Sequence, residues 1–140
     1  YNLLGKKRFF KLLIKAKEKI KKGRGEEIIA ELLPDNIFSY TGFYDIANPD
    51  GDYNAFPFLE AMKNIKISKK PLFRHFKSIN KPTIVIYGEK DEYAYEKVPK
   101  IVDILRNQKP GFEYKIVKGA DHGFSKKQKE LYKLISNWLS

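Results

Sequence analysis

Two polar residues stand in runs whose composition suits catalysis. Asp91 lies in GEKD, three residues past Gly88, and His122 lies in GADHG, five residues past Val117. A carboxylate beside an imidazole accepts the Nδ1–H, fixes the tautomer and stabilises the imidazolium that forms when Nε2 takes a proton. Gly119 and Gly123 bracket His122, as suits a tight turn that holds one side chain out. Taken singly, each residue has a plainer reading: Asp91 caps the next helix and His122 fills a turn. Together, at the ends of successive strands, they point to general-base chemistry.

The elements that would position them are legible in the hydrophobic pattern. Thr83 to Tyr87 (TIVIY) is a continuous β-branched and apolar run, which predicts a strand buried on both faces and ended by Gly88. Val98, Ile101, Val102 and Leu105 mark one face of a helix that closes before Pro110-Gly111. Glu113 to Val117 alternates, as a half-exposed strand does, and Leu131, Leu134, Ile135, Trp138 and Leu139 stripe a last helix. Strand, helix, strand, helix with such connections predicts parallel pairing through a crossover, with functional groups past the carboxyl ends of the strands.

Earlier in the chain, Phe9, Phe10, Leu13, Ile14 and Ile20 recur among lysines, which predicts a basic helix over 6–22 ended by Gly23 and Gly25. A second helical piece is expected from Glu26 to Leu33, stopped by Pro34. Pro49-Asp50-Gly51-Asp52 is a turn signal, without the alternating acids and terminal Glu of a calcium loop. The aromatics Phe38, Tyr40, Phe43, Tyr44, Tyr53, Phe56 and Phe58 either line an apolar acyl pocket or form a small local core. His75, in LFRHFKSI, is expected to have an ordinary packing or surface role in a helix.

The net charge of +11 on 140 residues is local. Residues 1–25 hold ten Lys or Arg and one Glu, leaving 18 positive and 16 negative charges on the rest. One basic helix with few arginines is a poor footprint for specific nucleic-acid recognition, and a solvated lysine face is the plainer reading. No apolar run approaches the ~18 residues of a membrane helix, and no secretory signal pattern opens the chain. Without cysteine there are no disulfides or thiolate metal sites, and no His/Asp/Glu cluster has metal spacing, so no metal is expected, and general-base chemistry by an Asp-His pair needs no organic cofactor. A cytoplasmic location is expected.

The stretch Ile79-x-x-Pro82-Thr83-Ile84-Val85-Ile86-x-Gly88-x-x-Asp91, followed by Gly119-x-x-His122-x-Phe124, resembles the C-terminal end of an α/β-hydrolase. The runs PDGDYNAF and GEKDEY are similar to an esterase-like branch that includes siderophore-esterase relatives. The resemblance implies that Asp91 and His122 are the acid and histidine of a Ser-His-Asp triad, which follow the nucleophile in that order. It also implies an α/β fold: a helical cap-like segment over 1–78, then two parallel strands with crossover helices over 79–140. The family's Gly-x-Ser-x-Gly elbow and oxyanion-hole loop are absent from this sequence. At about 30 residues per βα unit, an eight-stranded sheet needs about 240 residues, so the nucleophile is expected on further upstream sequence.

The expected function is therefore part of a serine esterase or related acyl hydrolase acting on a small ester or acyl substrate, inactive as the 140 residues alone. It is expected to form a homodimer or to associate with the nucleophile-bearing half. Two other classes stay open: a non-catalytic α/β-hydrolase-like binding module, and a basic nucleic-acid-associated domain.

Overall fold

The structure, a computed structural model, describes residues 4–34, 37–53, 57–62 and 65–140. Phe56 and the last residues of PDGDYNAF lie outside them. The chain divides into two compact units, Tyr1–Pro57 with Lys66–Pro71, and Phe58–Ile65 with Leu72–Ser140.

In the first unit the amphipathic basic run forms α1 (Gly5–Lys21), which buries Phe9, Leu12 and Ala16. Its end is a Schellman turn: Gly23 takes φ 70°, its N–H donates to the Ile20 carbonyl, and the Arg24 N–H donates to that of Lys19. α1 packs on α2 (Tyr40–Ala47), whose first turn is capped by Ser39 Oγ accepting the Gly42 N–H at 3.1 Å. The Phe9 and Phe43 rings meet edge-on at 6.2 Å, and Tyr40, Phe43 and Ala47 are buried. Tyr40 and Phe43 thus belong to a local core, while Tyr53 is 74% exposed.

The helix expected over 26–33 shrinks to a 3-10 turn at Ala30–Leu32. Ile28 bridges antiparallel to Ser39, and Ile29 donates its N–H to the Phe38 carbonyl and is fully buried. Extended pairing satisfies those backbone groups and buries Ile29, and this tertiary gain overrides a modest helical propensity. Asp50 anchors the acidic turn by accepting the Lys69 and Lys70 N–H groups, both at 2.7 Å.

After the short helices α3 (Pro57–Ala61) and α4 (Arg74–Ser78), where His75 is exposed, the α/β part follows in the expected order. β1 (Ile84–Gly88), α5 (Val98–Gln108), β2 (Glu113–Val117) and α6 (Gln128–Leu139) follow one another, with β1 and β2 parallel from Ile84 opposite Glu113 to Gly88 opposite Val117. α5 packs on both strands with Val98, Ile101, Val102 and Leu105 buried. The Tyr114 hydroxyl lies 2.8 Å from the Lys109 carbonyl and 3.1 Å from that of Leu105, where it donates to the end of α5.

One expectation about burial does not hold. Ile84 to Tyr87 are half-buried, not enclosed on both faces, because β2 pairs one edge and α5 provides the cover. The apolar stripe of α6 buries none of its residues. Among the described residues no helix is long and apolar enough to cross a membrane.

Candidate active site

The loops after β1 and β2 are laced together by main-chain bonds. Glu89 N–H donates to the Val117 carbonyl at 3.0 Å, and Lys90 N–H to the Ala120 carbonyl at 2.8 Å. Gly88 permits this approach: a Cβ there would lie 2.3 Å from the Asp121 carbonyl oxygen and 2.6 Å from that of Ala120. Gly119, with φ 70°, starts the second turn. Beyond His122 the left-handed positions are taken by Phe124 and Lys126, not by Gly123, with Asp121 accepting the Ser125 N–H at 2.7 Å across the turn. That bond, with the Ser125 hydroxyl adding to it, holds the Asp121 carboxyl below the usual carboxylate range.

These turns bring Asp91 and His122 together. His122 Nδ1 lies 3.1 Å from both carboxylate oxygens of Asp91. The Asp91 side chain is 8% exposed and that of His122 is 58% exposed, so the carboxylate sits beneath an imidazole that opens outward. Asp91 Oδ1 also accepts the Tyr93 N–H at 3.0 Å, which fixes the carboxylate within its own loop. A neutral imidazole that donates its Nδ1–H to Asp91 leaves the free lone pair on Nε2.

The Tyr93 ring packs edge-on against the imidazole, with centroids 4.9 Å apart. Phe58, Tyr87, Tyr93 and Tyr95 line a cavity of about 130 Å³ that includes both Asp91 and His122. Burial, with the Asp91 charge adding to it, pushes the Tyr87 phenol up from its ordinary range. Of the early aromatic group, Phe58 is the member on this cavity among the described residues. Sequence reasoning missed Tyr87, Tyr93 and Tyr95, although GEKDEYAY carries the last two in the acid loop itself.

The serine nearest His122 in sequence, Ser125, is tied to Asp121. Ser39 caps α2, and the hydroxyls of Ser78 and Ser140 donate to the carbonyls of His75 and Ser136 at 2.8 Å. Among the described residues no group of three His, Cys, Asp or Glu is arranged to hold a metal ion.

A parallel strand–helix–strand unit, with a carboxylate and an imidazole joined just past the strand ends, is the arrangement of an α/β-hydrolase. Residues 35–140 match the prolyl oligopeptidase family, and the chain belongs to it. That is a serine peptidase family of the α/β-hydrolase type, so its membership supports the superfamily without supporting an esterase branch within it. No curated protein and no solved structure matches the chain significantly.

Proposed function

We propose that Asp91 and His122 are the acid and general base of a Ser-His-Asp triad, and that the nucleophilic serine comes from outside these 140 residues. The observation that carries this reading is the 3.1 Å contact of Nδ1 with the sheltered Asp91 carboxylate, beneath an imidazole whose other nitrogen is open. Nε2 takes the proton of the attacking serine hydroxyl as its oxygen bonds to the acyl carbon. It then returns that proton to the departing alcohol or amine, leaving an acyl-enzyme. Water repeats the sequence, and His122 hands its proton back to the serine as the acid leaves. Asp91 holds the tautomer and stabilises the imidazolium.

The substrate class is an ester or peptide whose acyl carbon meets the serine, with residues 1–78 as a cap-like segment. Ester and peptide cleavage share the acyl-enzyme and differ in the leaving group, so the same pair serves both. The family's name favours a peptide bond.

In the intact protein, His122→Ala should abolish labelling by a serine-directed fluorophosphonate. Asp91→Asn should slow it roughly 10³–10⁴-fold with the fold retained, through loss of the correct tautomer. Unchanged labelling in His122→Ala would refute the assignment. A p-nitrophenyl ester and a prolyl p-nitroanilide, compared by kcat/KM, decide between the leaving groups.

A further inference from the structure

Three carboxylates of the acid loop grip the turn that carries the histidine. Glu89 Oε2 accepts the Gly119 N–H at 2.8 Å, Asp91 takes the imidazole Nδ1, and Glu92 Oε2 accepts the main-chain N–H of His122 at 3.0 Å. The first bond holds the start of the turn, whereas the other two fall on the histidine itself. Asp91 controls the ring and Glu92 controls the backbone from which the ring projects. Without Glu92 the imidazole keeps its Asp91 and Tyr93 contacts, and the Asp121–His122 peptide keeps the bond of its carbonyl from the Phe124 N–H at 3.2 Å but loses the one on its N–H.

We propose that Glu92 is a positioning residue for His122. Resting on the triad reading above, its role is to keep Nε2 directed at the serine while leaving substrate binding untouched. A misplacement of about 1 Å in a catalytic group costs as much as 10²-fold in rate, so a bond that sets the histidine's own peptide has leverage on turnover.

The test uses the intact protein, with amide hydrogen exchange at His122 and fluorophosphonate inactivation resolved into kinact and KI. Glu92→Ala should speed His122 amide exchange and lower kinact, each roughly tenfold or more, with KI unchanged. Glu92→Gln keeps a side-chain carbonyl acceptor and should recover most of both. Glu96→Ala removes the same charge from a carboxylate that accepts the Lys97 N–H and pairs with Lys100, and should behave as wild type.

If Glu92→Ala matches wild type in both measurements while wild type labels normally, Glu92 has no such role. If Gln fails as Ala does, charge and not the bond is responsible, and the proposal is overturned. A wild-type protein that takes no label overturns the triad reading, and the catalytic sense of this proposal with it, whatever the exchange shows.

Discussion

At the scale of single residues, the carboxylate–imidazole pair depends on a residue with no side chain. Gly88 closes β1 directly against the carbonyls of Ala120 and Asp121, so any Cβ there must displace main chain next to His122. Main chain gives way less readily than a flexible side chain. Gly88→Ala should therefore cost roughly 1–3 kcal/mol by overpacking. It should also separate the acid and histidine loops, so that fluorophosphonate labelling falls along with the melting temperature. Gly111→Ala is the matched comparison, because a Cβ there meets nothing within 4 Å. Equal melting temperatures and labelling rates for the two variants would refute this account of the turn.

Among the elements, α1 is held both by an apolar face and by ion pairs at its edge. Glu27 is kept below the usual carboxylate range by its bonds to Arg24 and then Lys19, and Glu31 by its bond to Lys15. Lys15 is raised in turn, chiefly by the same bond to Glu31. A carboxylate whose folded pKa is depressed adds stability above its unfolded value, about 4.3 for Glu, and that stability is lost as pH falls through the folded value. These pairs are part-exposed, so their contribution is screened and modest. Helical circular dichroism should weaken as pH drops below about 4, and Glu27→Gln/Glu31→Gln should flatten that acid limb. An identical acid profile in the double variant would show that the pairs do not support α1.

For the molecule as a whole, the α/β part has more sheet-forming surface than its own strands cover. β1 pairs with β2 on one edge, and the other edge has no partner among the described residues. A two-stranded sheet is marginal, and an open edge invites association. α6 adds Leu134, Ile135 and Trp138 on a face that buries no residue. The 140-residue chain by itself should therefore associate as concentration rises, with light scattering reporting masses above the 16.4 kDa of one chain. It should also show no p-nitrophenyl esterase activity without a serine from elsewhere. A monodisperse 16.4 kDa species with His122-dependent turnover would overturn both expectations at once.

The order and type of the α/β elements were legible because hydrophobic period is a local property. Val98, Ile101, Val102 and Leu105 had to share a helical face, and that face is the buried one. Asp91 and His122 were legible as a pair because strand ends are marked by Gly88 and by the run after Val117. The tertiary structure alone decided how far burial proceeds, since cover comes from neighbours. TIVIY reads as enclosed, but Ile84 to Tyr87 stay half-buried under one helix and beside one strand. It also decided 26–33, where the backbone of Ile28 and Ile29 found partners at Phe38 and Ser39 that no local propensity reveals. The grip of Glu92 on the His122 amide was hidden for the same reason. A surface carboxylate looks alike in every sequence, and only the contact between two loops 30 residues apart gives it an object.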